Sequence, residues 1–153
     1  QFLDDKDLAA MATYLLGDTP PAAKVLETRA LDDLNDSAKR GHQQYLNVCA
    51  GCHAPEGEGK PHIAVAMRGN TTVRLDDPRN LLRVIEDGID EQQFSGFERM
   101  QPMPGFADKL DQAQLTDLLN YLRQRWGGQT GELAVSDVQK LQADKSDTHS
   151  KAD

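Results

Sequence analysis

Cys49-Ala50-Gly51-Cys52-His53 constrains this chain more than any other stretch of it. Two thiols and an imidazole fall within five residues. A C-x-x-C-H run is the pattern of c-type haem attachment. Each thiol forms a thioether with one vinyl group, and the histidine reaches the iron from the same turn. The tether keeps the histidine at the metal in both redox states, because the ligand cannot drift away. A thioredoxin-like redox pair would need a βαβ setting, of which the sequence has no sign. A zinc site would need four ligands, and His42, His62 and His149 stand at no zinc-like spacing. The expectation is therefore one covalent haem c held by Cys49 and Cys52, with His53 on the iron.

Composition fits a core completed by such a group. Of 153 residues, 38% are hydrophobic and only 5% aromatic, with a mean hydropathy of -0.64. A small domain buries a limited share of its surface, so a large apolar cofactor relieves the shortage. The formal charge of -8 excludes nucleic acid as a partner, since phosphates would repel it. No apolar run of about 18 residues is present to span a membrane. Gln1 opens directly into an acidic, helix-like segment without a signal peptide, so a mature or trimmed chain is expected. Haem c is attached outside the cytoplasm, which makes the expected location periplasmic, or the periplasmic face of the inner membrane.

Caps and periodicity predict four helices and no strand. The first begins at the N-cap Asp4, shows Leu8, Met11 and Leu15 on one face, and stops at Gly17 and Pro20-Pro21. Met11 reads as core. A polar stretch from about Asp18 to Asn35 reads as a linker. The second helix starts near Asp36 or Ser37 and runs into the cysteine pair, with Gly41, Tyr45, Val48, Cys49 and Cys52 on one face. The third is capped by Asp77, has Pro78 at its first position, carries Leu81, Leu82, Val84 and Ile85, and ends at Gly88. The fourth opens at Asp111 with Gln114 as a capping box, then carries Leu115, Leu118, Leu119, Leu122 and Trp126 to Gly127-Gly128. Beyond it the chain is polar, with room for a short helix at Val135 to Leu141 and a disorder-like last ten residues.

Three methionines compete for the sixth iron position. Met103 lies in Met100-Gln101-Pro102-Met103-Pro104-Gly105-Phe106, where a proline on either side fixes the backbone and would hold the sulfur in place. Met100 and Met67 are the alternatives, Met67 reading better as packing on the haem face. Phe106 would cover a haem edge. A His/Met pair favours ferrous iron, because thioether sulfur is soft and uncharged.

Taken together, Gly41-x-x-x-Tyr45-x-x-x-Cys49-x-x-Cys52-His53, Gly69-Asn70, Asp76-Asp77-Pro78-x-x-Leu81 to Val84, Met103-Pro104-x-Phe106 and Asn120-Tyr121-Leu122-Arg123 resemble a class I cytochrome c domain. Within that class they look most like the C-terminal haem domain of multihaem cytochrome subunits of membrane-bound alcohol and gluconate dehydrogenases. The match covers roughly residues 35 to 141. The resemblance implies an all-α fold packed around one haem, with Tyr45, Met67, Leu81, Ile85 and Phe106 beside Cys49, Cys52, His53 and Met103. It implies that the first and last helices of the domain cross at Gly41 and Tyr121. It also implies an electron carrier with no catalytic residues, relaying electrons from a dehydrogenase towards a quinone or terminal acceptor, with any membrane association made through a partner. Where relatives carry prolines after the haem motif, this chain has Val65-Ala66, so the carbonyl that should orient the haem histidine is unassigned, Pro61 being one candidate. Arg68, Arg74, Arg79 and Arg83 are candidates to meet haem propionates or to face solvent, and His42 and His62 read as surface residues.

Other classes carry less of the pattern. A haem peroxidase or a gas or redox sensor needs an open or exchangeable sixth position, against which Met103 in its proline frame argues. A cytochrome domain tethered to another oxidoreductase, such as a nitrite reductase, is the alternative within electron transfer.

One internal likeness remains. Leu3-Asp4-Asp5-Lys6-Asp7-Leu8 aligns with Leu110-Asp111-Gln112-Ala113-Gln114-Leu115, and Met11, Tyr14 and Leu15 then meet Leu118, Tyr121 and Leu122, at a constant offset of 107 residues. A domain-sized period is the mark of tandem domains. The expected organisation is a helix left from a preceding haem domain at 1–21, a linker at 22–34, the haem domain at 35–128 and a partly disordered tail at 129–153.

Overall fold

The fold is set by a crossing of two helices that glycine makes possible. The computed structural model describes residues 3–18, 27–93 and 99–149. Helix α2 spans Asp36–Val48, with the Asn35 carboxamide accepting from the Ala38 N–H at 2.8 Å as its N-cap. Helix α6 spans Gln112–Arg125, opened by the capping box of Asp111 and Gln114. They cross at Gly41, where an added Cβ would overlap the Asp117 carbonyl and lie 2.8 Å from the Tyr121 Cβ. Backbone therefore packs on backbone, which only glycine permits.

Polar and aromatic groups lock this crossing. Asp117 accepts from Ser37 Oγ at 2.6 Å and from Arg40 through Nε at 2.7 Å and Nη2 at 2.9 Å. The same contact raises the Arg40 pKa above its ordinary value. Tyr45, Tyr121 and Trp126 are buried as a cluster, with ring centroids 5.2 to 5.5 Å apart. Such tilted and edge-on contacts suit the quadrupoles of the rings.

The helices that follow α2 pack around this pair. Helix α1 is Asp5–Leu16, α3 is Ala50–His53, α4 is Thr71–Arg74, α5 is Arg79–Asp87 and α7 is Val135–His149. Arg123 on α6 reaches the carbonyls of Leu75 (3.2 Å) and Asp76 (3.0 Å), tying down the chain after α4. Burial lowers the pKa of that guanidinium. The arrangement is predominantly helical, as expected from the motifs. Among the described residues, no helix is long and apolar enough to cross a membrane.

Several local expectations change. A two-stranded antiparallel ladder, β1 Gln92–Gln93 with β2 Arg99–Met100, pairs Gln92 with Met100. Strands of two residues are too short to show any alternation, which is why no strand was legible. Pro78 caps α5 rather than opening it, while the Asp77 carboxylate accepts from the Arg79 N–H at 3.0 Å, which lowers its pKa. Of the segment read as linker, residues 31–33 form a 3₁₀ turn, Leu34 is buried, and the Arg29 N–H donates to the Arg125 carbonyl at 3.0 Å. Helix α7 extends past Leu141, because Val138 is buried and Arg83 Nη2 and Glu86 on α5 bond Leu141 and Gln142. Pro20-Pro21 and the end of the tail lie outside the described residues.

Met11 is not core. It is 48% exposed on α1, a helix with no buried residue, alongside the exposed Leu8, Tyr14 and Leu15. The helix is amphipathic as read, but no described element supplies a surface to cover its apolar face.

Replacing Gly41 by alanine should destabilise the haem-loaded protein by about 1–3 kcal/mol, since α2 and α6 must separate to admit the methyl group. Urea unfolding followed by far-ultraviolet circular dichroism measures this, and an unchanged midpoint would contradict the crossing.

Candidate metal centre

The haem motif sits where α2 ends and the chain turns into α3. The Cys52 and His53 N–H groups both donate to the Cys49 carbonyl, at 3.1 and 2.9 Å, so the motif folds as one helical turn. That turn brings Cys49, Cys52 and His53 onto a single cavity of about 350 Å³. Cys49 and His53 are buried and Cys52 is exposed.

His53 has a defined second partner. Its Nδ1 lies 2.8 Å from the Val65 carbonyl oxygen. A carbonyl only accepts, so Nδ1 carries the proton and Nε2 keeps a free lone pair. Val65 therefore supplies the carbonyl that the sequence left open, and Pro61 does not. Since the group is backbone, the side chain at 65 gave no signal of it. The loop that delivers it is pinned by backbone bonds from Gly59 N–H to His53 (2.9 Å), Met67 N–H to Gly57 (2.7 Å) and the Lys60–Ala64 bridge.

A second wall comes from the loop before α6. The Ile89 and Met103 backbones exchange two hydrogen bonds of 2.9 Å, and the Phe106 N–H donates to the Ile85 carbonyl at 2.8 Å. Gly88 makes this stitching feasible. Its φ is +80°, and an added Cβ would come within 2.7 Å of the Gly105 nitrogen. The proline-framed methionine loop is thereby clamped to the C-terminal end of α5.

Of the residues singled out in the sequence, Cys49, Cys52, His53, Met67, Leu81, Ile85, Met103 and Phe106 all line this cavity. Met100 lines it too, so geometry brings both candidate methionines of the loop to the site. Tyr45 does not. It is buried in the aromatic cluster, and its hydroxyl donates to the Ala54 carbonyl at 2.6 Å. Its place on the α2 face was legible, but the same face serves both the cavity and the crossing with α6. None of Arg68, Arg74, Arg79 and Arg83 is among the lining residues. Arg79 pairs with Asp77, and Arg83 with Glu86 and the Leu141 carbonyl. His42 stacks on Tyr121 at 5.2 Å, and burial beside Arg125 lowers its pKa, so it is less of a surface residue than expected.

Sequence reasoning missed Ile63, Asn70, Thr72, Val73 and Gln92 in the lining. Ile63 and Asn70 lie on the loop after α3, Thr72 and Val73 on the single turn of α4, and Gln92 on β1, all too short or irregular for a periodicity to mark a face. The Asn70 side chain accepts from the Thr72 N–H at 2.9 Å, capping α4 at the cavity wall.

These residues fit a covalently held haem. The walls are dominated by aliphatic and thioether side chains, and two thiols and a histidine with a free Nε2 face the space. Burial, then Cys52, pushes the Cys49 thiol up to about 12. Such a sulfur stays protonated and uncharged at neutral pH.

Comparison with known proteins agrees. The family model described as "Cytochrome c" matches residues 38–126. The cytochrome c subunit of a quinone alcohol dehydrogenase from Gluconobacter oxydans is 32% identical over 148 residues, covering 92% of this chain and 31% of the relative. The gluconate 2-dehydrogenase cytochrome c subunit of Pantoea cypripedii is 27% identical, covering 95% of this chain and 35% of its own length. The chain thus spans about a third of these relatives. The crystal structure of the c-type cytochrome XoxG from Methylobacterium extorquens aligns over 65% of this chain and 56% of its own, with 27% identity and a TM-score of 0.46. With the haem motif, its histidine partner and the apolar cavity all inside the matched family region, the chain belongs to the cytochrome c family.

Proposed function

We propose that this domain relays single electrons from a dehydrogenase partner, with His53 and Met103 as the axial ligands of its haem iron and the periplasm as its location. Electron transfer is the family's work. The single observation that carries the finer reading is that one apolar cavity holds both His53, its Nδ1 fixed on Val65, and Met103, its backbone fixed on Ile89. A bound haem c supplies a metal that gains and loses one electron without exchanging its ligands. Everything else is done by the chain. Cys49 and Cys52 anchor the group through thioethers. Donation from His53 to a carbonyl makes Nε2 the more basic nitrogen and holds the ring plane. Met103 offers soft sulfur that favours the reduced metal. The aliphatic walls keep water out, which also favours the less charged state. Two filled axial positions leave no site for peroxide or a gas, so a relay is preferred to a peroxidase or sensor.

Dehydrogenase relatives supply the reason for the partner class. The docking region would include Val65 and Ile89, both cavity-lining and 52% and 43% exposed. A small, transient contact suits electron transfer. With a net charge of -8, a basic partner would be steered to it.

A second reading concerns α1, and one observation favours it. Asp4 and Asp111 both form complete capping boxes, at the helices related by the 107-residue offset. Yet Leu118, Tyr121 and Leu122 are buried while their counterparts Met11, Tyr14 and Leu15 are exposed. Helix α1 is then the last helix of a preceding haem domain, and the parent protein is multihaem. The parent gene should encode a further C-x-x-C-H motif within about 100 residues upstream of Gln1. A signal peptide alone at that place would end this reading.

One haem per chain should survive acid-acetone extraction, and release of free haem from the wild-type protein would refute thioether attachment. Met103→Ala should remove the near-infrared sulfur-to-iron band and lower the reduction potential, while Met100→Ala should keep the band. The opposite pattern would move the ligand to Met100. Reduction by a basic redox partner should slow as salt rises from about 0.01 to 0.1 M, where the screening length falls from about 30 to 10 Å. A flat response in stopped-flow measurements would replace charge steering with apolar docking.

A further inference from the structure

Tyr45 stands outside the cavity, yet it grips the residue that follows the haem histidine. Its hydroxyl donates to the Ala54 carbonyl at 2.6 Å, and that oxygen also accepts from the Gly57 N–H at 3.1 Å. Ala54 has φ 64° and ψ 157°. That region is occupied almost only by glycine, because a Cβ crowds the backbone there. A strained residue persists only where its surroundings over-determine it.

Ala54 is also a hinge. Before it lies α3, capped by Cys49, which turns Cys52 and His53 towards the cavity. After it begins the loop that brings the Val65 carbonyl to His53 Nδ1. The two partners of that 2.8 Å contact are therefore related through the torsions of Ala54. Tyr45, His53 and Ala54 are all buried, so water offers no substitute for the tyrosine hydroxyl. Burial also raises the Tyr45 pKa, leaving the hydroxyl a donor throughout the neutral range.

We infer that Tyr45 is a positioning residue for the redox centre: through the Ala54 carbonyl it holds the turn that sets the His53 ring against Val65. This rests on His53 as an iron ligand, as proposed above. It assigns Tyr45 a role reached through another residue rather than by contact with the haem.

The test uses the haem-loaded protein and three variants. Tyr45→Phe keeps the packed ring and removes only the hydroxyl. Proton exchange at His53 Nδ1, read by NMR, should accelerate by on the order of tenfold, as expected for local opening after loss of one buried hydrogen bond. The paramagnetically shifted His53 ring resonances of the oxidised protein should move with it. Adding Ala54→Gly to Tyr45→Phe should bring both readings back towards wild type, since glycine has no Cβ driving it out of this conformation. Ser37→Ala, which loses a buried hydrogen bond to Asp117, should lower stability and leave the His53 signals alone. Unchanged His53 signals in Tyr45→Phe would overturn the inference, as would equal shifts in Ser37→Ala. If wild type itself lacks paramagnetically shifted His53 resonances, the ligand assignment fails and the inference falls with it.

Discussion

Where α2 and α6 cross at Gly41, two helix backbones touch, and the haem site is built from what that contact positions. With any side chain at 41 the helices would stand farther apart. The Asp117 carboxylate could no longer reach both Ser37 and Arg40, and Tyr45, Tyr121 and Trp126 would lose their edge-on packing. Helix α2 ends in Cys49, and α6 contributes Leu122 to the cavity wall. A displacement at the crossing is therefore transmitted along a rigid rod to the thioether anchor. Close-packed interiors carry strain this way because they have little free volume to absorb it.

The centre itself is made of two loops clamped to rigid ends. One leaves α3 through Ala54 and returns with the Val65 carbonyl. The other leaves α5 through Gly88 and returns with Met103. Both use backbone hydrogen bonds rather than regular secondary structure, and both begin at a residue with positive φ. One loop thus fixes the partner of the His53 ring and the other the backbone of Met103, the two residues proposed as axial ligands, so that both are held in place by the chain itself.

Much of this was legible because the informative residues are local. Five consecutive residues name the cofactor, Asp111 with Gln114 marks the start of α6, and prolines flank Met103 in plain view. The Gly41–Tyr121 crossing was reachable only through resemblance to a family, since a helical glycine alone does not say what approaches it. Tyr45 was misplaced because helical periodicity gives a face, not which of two neighbours on that face a side chain meets. The Val65 carbonyl and the strain at Ala54 were out of reach, as backbone groups and torsions leave little trace in residue identity. Leu31, Leu34, Val138 and Leu141 are too sparse among polar residues to announce that both flanking segments pack on the core.

The contact from His53 to Val65 has an evolutionary consequence. Its acceptor belongs to the main chain, so a change of side chain at position 65 leaves the oxygen in place, and Val65-Ala66 can stand where prolines would otherwise be found. Point mutation in this loop is thereby largely decoupled from the electronic properties of the iron. Insertion or deletion between residues 54 and 65 is not, because it would carry a different carbonyl to the histidine. Outside Gly57 and Gly59, whose positive φ and close neighbours exclude a side chain, the loop should drift in spelling while its length stays under selection.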